Sequence, residues 1–153
     1  MGQHHRWIGQ AFPSFSMKNE DDETFDESRL KGGWSVIFFY PKDRSLGCSI
    51  QAQTFVELED EFKKHGAQIL GVSSDNVREH KAFKCDLGGS LSLLSDHKGV
   101  LRRSMNLGAT LGIIPSRVTF VVDPEGIIQW VYKSQLRVKY HVHASLNFLA
   151  SAQ

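Results

Sequence analysis

Cysteine is scarce in this chain: two residues, Cys48 and Cys85, among 153. That is too few for a disulfide-stapled extracellular scaffold, and a separation of 37 positions (85 minus 48) excludes a Cys-x-x-Cys pair. In a reducing compartment such thiols suit chemistry better than structure. Long apolar runs are also missing. No stretch approaches the ~20 residues of a membrane-spanning helix, and Met1-Gly-Gln-His-His-Arg-Trp7 lacks the apolar centre of a secretory signal, so a cytoplasmic location is the expectation. Nor does charge of one sign dominate. A formal net charge of +1 argues against the broad basic face that nucleic-acid binding requires. The acidic run Glu20-Asp-Asp-Glu23 is short enough to be a solvated turn.

What is present reads as one soluble α/β domain over 1–153, with 1–10 expected as a flexible arm. The run 34–40 is almost continuously apolar, as expected of a strand covered on both faces. Ala52, Phe55, Val56, Leu58 and Phe62 recur at helical spacing over 49–65, with Gly66 as terminator. A second buried strand is expected at 68–73. A short polar helix follows at 75–86, capped by Asp75 or Asn76 and ended by Gly88-Gly89. A strand at 91–94, a helix at 100–105 and strands at 117–122 and 127–132 come next. The two strands are joined by the turn Asp123-Pro-Glu-Gly126, and a helix at 138–150 completes the order. The sequence βαβαβαββα implies a central mixed sheet flanked by helices.

One thiol stands at a chemically loaded place. Cys48 follows the first strand and opens the first helix, where unpaired N–H groups and the helix dipole favour thiolate over thiol. The pattern Pro41-x-x-x-Ser45-x-x-Cys48 resembles the active-site loop of the peroxiredoxins, thioredoxin-fold thiol peroxidases. Phe39-Tyr-Pro-Lys-Asp43, Gly47-Cys48, Leu70-Gly-Val-Ser73, Leu93-Leu-Ser-Asp96 and Arg117-x-Thr-Phe120 fall in the order seen in the bacterioferritin-comigratory-protein, or Q-type, branch. The likeness covers nearly everything from residue 11 to about 132.

The resemblance implies a thioredoxin-like fold and a peroxidase acting on hydrogen peroxide and small organic hydroperoxides, without metal, flavin or haem. It makes Cys48 the nucleophile and Arg117 the guanidinium that reaches thiolate and peroxide. Arginine suits that task because it stays charged and offers a fixed fork of donors. Ser45, where the family more often has threonine, supplies a hydroxyl to the peroxide. Pro41 shields the thiolate and fixes the loop. Leu46 and Gln51 depart from the branch, which usually has proline and often glutamate there; rate rather than reaction type is put in doubt.

Peroxide attack leaves a sulfenic acid that another thiol must resolve. Many Q-type members carry that thiol five residues after the first; here that position is Gln53. Cys85 lies where other members place theirs, and Gly88-Gly89 would ease local unfolding. The resemblance then implies an intramolecular disulfide returned to thiols by thioredoxin or a similar donor, in a monomer. The other reading makes Cys85 a half-buried structural residue and the enzyme dependent on an external thiol. A slow redox sensor and a thioredoxin-fold binding module are the rival functions.

The histidines offer no metal site by spacing: His141 and His143 diverge on a helix, and His4-His5 are terminal. His80, between Glu79 and Lys81, reads as a surface helix residue. Ile114-Pro115, just before Arg117, is similar to the cis-proline site of thioredoxin-like folds.

Overall fold

The computed structural model describes residues 6–153. Its strands are β1 (Ser16–Lys18), β2 (Thr24–Asp26), β3 (Trp34–Phe39), β4 (Ala67–Ser73), β5 (Ser92–Ser95), β6 (Ala109–Thr110), β7 (Ile114–Pro115), β8 (Val118–Val122) and β9 (Ile128–Lys133). Its α-helices are α1 (Leu46–Glu57), α2 (Glu59–Lys64), α3 (Val77–Leu87), α4 (Val100–Ser104) and α5 (Val138–Ala152). Seven strands form one sheet in the order β2-β1-β5-β4-β3-β8-β9, while β6 and β7 pair separately. β3, β4 and β5 run parallel, and β8 is antiparallel to β3, so the sheet is mixed as expected.

The continuous apolar character of β3 has a simple cause. Successive side chains point to opposite faces, and both faces are covered. Ile37 and Phe39 join a cluster with Trp7, Phe12, Phe25, Leu101 and Phe120. Val36, Phe38 and Tyr40 join another with Cys48, Phe55, Phe83 and Val142, beneath α1, α3 and α5. Phe38 stacks on Phe55 at 4.5 Å between ring centroids and on Tyr40 at 5.4 Å. Burying each such ring stabilises the fold by about 2–3 kcal/mol. Gly71 in β4 makes room for them: a Cβ there would lie 2.8 Å from Phe38 Cζ and 3.1 Å from Tyr40 Cε1.

Several expectations are corrected. The helix expected over 49–65 starts at Leu46 and breaks at Leu58, whose φ of −105° and ψ of 9° end α1. Glu59, Asp60 and Glu61 then stabilise the positive start of α2. The hairpins β1–β2 and β6–β7 are additions to the expected order. The arm expected at 1–10 is docked over its described part: Trp7 is buried and its indole N–H donates to the Met105 carbonyl (3.2 Å), while Gly9 N–H donates to Ile128 O (2.8 Å). His4 and His5 lie outside the described residues. The peptide bond before Pro115 is trans. Asn76 is the cap of α3, accepting from Glu79 N–H while the Glu79 carboxylate accepts from Asn76 N–H.

Candidate active site

The loop 40–45 leaves the carboxyl end of β3 and turns into α1, with Ser45 as the cap residue and Cys48 in the first turn. Cys48 is 1% exposed, packed in the apolar cluster that contains Tyr40 and Phe83. Arg117, 69 residues further on, immediately precedes β8. Antiparallel pairing of β8 with β3 sets Val118 opposite Phe39, which brings the arginine beside the loop that follows β3. Its Nη1 lies 3.4 Å from Cys48 Sγ and 2.6 Å from Gln51 Oε1. Its Nε donates to the Gln135 carbonyl at 3.1 Å, and its backbone N–H donates to Gln135 Oε1 at 3.1 Å. The guanidinium is therefore fixed on three sides. Gly47 completes the fit, because a Cβ there would stand 3.2 Å from Arg117 Nη2.

The remaining expected residues are placed differently from one another. Ser45 Oγ donates to the Lys42 carbonyl (2.9 Å), closing the loop, and its own carbonyl accepts from Ser49 N–H (2.8 Å). Pro41 is half-buried at the start of the loop. Cys85 stands apart: it is exposed on α3, beside a hollow lined by Asp21 and Lys81, and both cysteines are free thiols. The buried face of that helix is His80, Phe83 and Leu87.

His80 overturns its sequence reading. It is fully buried, with Nδ1 2.6 Å from Asp43 Oδ2 and Nε2 3.0 Å from the Leu94 carbonyl. Its charged neighbours misled; the i, i+3, i+7 spacing with Phe83 and Leu87 was the signal. Asp43 also accepts from the Tyr40 hydroxyl at 2.5 Å. Burial above all, with the Asp43 carboxylate beside it, raises the Tyr40 pKa well above the ordinary tyrosine value, so that hydroxyl stays a donor.

Sequence reasoning also missed two supports. Gln51 is fully buried, accepts from Arg117, and leaves its Nε2 without a partner among the described residues. His141 is buried under Tyr132, with Thr119 Oγ1 2.8 Å from Nδ1 and the Ser134 carbonyl 2.7 Å from Nε2. The carbonyl can only accept, so Nε2 carries the proton and Thr119 donates to Nδ1. Ser134 N–H in turn donates to the Arg117 carbonyl (3.2 Å), so α5 braces the segment that holds the arginine.

The AhpC/TSA family profile matches residues 8–131. The chain belongs to the AhpC/TSA family, the peroxiredoxins. It is 38% identical over 144 residues to the chloroplastic peroxiredoxin Q of Populus jackii, covering 94% of this chain and 68% of that one. Against the Arabidopsis thaliana chloroplastic peroxiredoxin Q it is 35% identical over 145 residues, covering 94% and 67%. The chain thus spans about two thirds of the length of these curated relatives. Solved structures match over most of the chain. Peroxidoxin BcpB from Mycobacterium tuberculosis superposes with a TM-score of 0.87 at 27% identity, covering 95% of this chain and 97% of that one. Xanthomonas campestris peroxiredoxin Q gives 0.83 at 31% identity, covering 90% of each. A structure of the bacterioferritin comigratory protein of the same organism, described for its alkyl peroxide reduction activity, gives 0.82 at 30% identity, covering 90% and 91%. This peroxiredoxin is accordingly a thioredoxin-fold enzyme of peroxidase type, using a thiol. Among its described residues, no helix is long and apolar enough to cross a membrane.

Proposed function

We propose that Cys48 is the peroxidatic nucleophile of this enzyme and that Arg117 is the group that activates it. The observation that carries the reading is the 3.4 Å approach of Arg117 Nη1 to Cys48 Sγ at the N-terminus of α1. Arg117 sets a cation against a sulfur in the first turn of α1, the arrangement a thiolate nucleophile uses. The thiolate attacks one peroxide oxygen; the S–O bond forms as the O–O bond breaks, and the other oxygen leaves with the bonding pair and takes a proton as water or alcohol. Sulfur is oxidised by two electrons and the peroxide reduced by two. In this reading Arg117 Nη2, which lies alongside Gly47, donates to the oxygen that gains charge, and the Ser45 oxygen, whose proton goes to the Lys42 carbonyl, accepts the O–H of the attacked peroxide. Pro41 narrows the approach of water. Leu46, 79% exposed two residues before Cys48, offers an apolar lip suited to the alkyl group of an organic hydroperoxide, consistent with the alkyl peroxide activity named for the Xanthomonas relative.

In this reading Cys85 resolves the sulfenic acid: its thiolate attacks Cys48 Sγ, the S–S bond forms, and hydroxide leaves to become water. Thioredoxin or a similar dithiol then restores both thiols by exchange. Because Cys85 faces solvent on the side of α3 away from the His80–Phe83–Leu87 face, the step requires that helix to open. Intact mass spectrometry after one equivalent of hydrogen peroxide tests the scheme in wild type and Cys85→Ser. Loss of two hydrogens in the wild type, replaced by one added oxygen in the variant, is the expected pair. Added oxygen in both assigns Cys85 to structure, and no rapid change in either refutes the nucleophile.

A further inference from the structure

The buried cluster beneath the active-site loop takes no part in the chemistry above, yet it is built around that loop. Asp43 sits two residues after Pro41 and two before Ser45, the loop residues that shape the peroxide site. Its carboxylate meets His80 of α3 at 2.6 Å and the Tyr40 hydroxyl at 2.5 Å; its backbone N–H donates to Asp75 Oδ2 at 2.8 Å. Asp75 also accepts from Ser73 Oγ (2.6 Å), which ties the cluster to the end of β4. A second link joins the same loop and helix at the surface, where Arg44 Nε lies 2.8 Å from Asp86 Oδ2.

We infer that the Asp43–His80 pair is a positioning clasp, His80 acting through Asp43 to hold the 41–48 loop against α3 in the geometry that peroxide attack at Cys48 requires. The proton inventory supports a strong contact. The Leu94 carbonyl only accepts, so His80 Nε2 bears a proton; the carboxylate at Nδ1 needs another between the two partners. A carboxylate and an imidazole sharing a proton out of water form a charge-assisted bond, with every polar atom of the imidazole engaged. Asp43, Asp75 and His80 lie within 4.8 Å of one another, and these protein hydrogen bonds account for their proximity. The loop also needs a holder: Arg44 has φ of 64°, a left-handed conformation that a non-glycine residue keeps only when its surroundings impose it.

The inference deepens the reading of Cys48 as nucleophile and is independent of whether Cys85 resolves. It is tested in the Cys85→Ser background, by following dimedone-trapped sulfenic acid in rapid-quench experiments and, separately, iodoacetamide alkylation of Cys48 at the same pH. His80→Ala and Asp43→Ala should each slow peroxide attack about 10- to 100-fold, the scale set by small misplacements of reacting groups, without slowing alkylation. Asp43→Asn, whose amide can donate to neutral Nδ1, should stay within about threefold, and the double alanine variant should be no slower than either single one. Asp86→Asn, breaking only the surface link, should leave attack unchanged. Attack at the parent rate in both alanine variants, equal slowing of the two reactions, or additive losses would overturn the clasp. A Cys85→Ser parent that forms no sulfenic acid would instead remove the peroxidase reading and the clasp together. If the alanine variants do not fold, hydrogen exchange of the wild type reads the same link: 41–48 and 77–87 should open as one unit, and independent opening refutes it.

Discussion

His141 gives a prediction whose size follows from its surroundings. Burial, foremost, holds its imidazole neutral, with the positive Arg117 nearby adding to the effect, although the Ser134 carbonyl partly opposes it; together they lower the pKa from 6.5 to about 4. The sign follows directly. Between these values the unfolded chain binds a proton that the folded chain refuses, so stability rises with pH and falls on acidification. The penalty relative to neutral pH is about 2 kcal/mol at pH 5 and about 3 kcal/mol at pH 4. Urea melts of wild type and His141→Gln at pH 7, 5 and 4 measure it, since glutamine can accept from Thr119 and donate to Ser134 without titrating. The difference between the two proteins should shift by those amounts in favour of the variant as pH falls. Parallel pH profiles would refute the assignment. Because Ser134 N–H also holds the Arg117 carbonyl, peroxide attack by the wild type should decline over the same acid range more steeply than in the variant.

Three substitutions extend the reasoning to packing and charge. Gly71→Ala places a Cβ 2.8 Å from Phe38 Cζ and 2.9 Å from Leu93 Cδ2, and should cost about 2–3 kcal/mol in urea denaturation; a loss below about 0.5 kcal/mol would mean that the rings yield freely. Gly47→Ala crowds Arg117 Nη2 at 3.2 Å, so single-turnover peroxide reduction should slow about tenfold while the denaturation midpoint moves little. Gln51→Glu sets a carboxylate at Arg117 Nη1; iodoacetamide alkylation of Cys48 near pH 7 should slow several-fold, and an unchanged rate would show that the arginine's charge does not govern the sulfur.

The parts of the fold legible in the sequence are those written in a local period. β3 and β4 show as mainly apolar runs because both faces are buried, and α3 shows through the cap candidates Asp75 and Asn76 and the glycines at its end. The hairpins β1–β2 and β6–β7 were not legible. β1 and β2 are three residues long with a single buried side chain each, and β6 and β7 only two, too few for a period. In the site, Cys48 and Arg117 stand out by motif and order, and the sheet register sets them 3.4 Å apart. The supports do not stand out. His80 and His141 are polar letters in helices, and for His80 the local signal, its spacing with Phe83 and Leu87, is masked by the charges on either side. Partners distant in sequence make their burial tolerable: Asp43, 37 positions back, with the Leu94 carbonyl for His80, and Thr119, 22 back, with the Ser134 carbonyl for His141.

Gln51 shows why a departure from a family pattern need not move the chemistry. A glutamate would match the arginine's charge, but the amide keeps the one feature that fixes the guanidinium, an acceptor oxygen 2.6 Å from Nη1. What changes is where the charge acts. Unit charges 3.4 Å apart interact by about 5 kcal/mol at an effective dielectric constant of about 20, and a carboxylate closer than the sulfur would absorb much of that field. With a neutral partner the arginine's charge is directed at Cys48 and at whatever oxygen approaches it. The cost is the amide nitrogen left buried without a partner among the described residues. If Cys48 is the nucleophile, orientation of the guanidinium by Gln51 then matters more to the site than neutralising it.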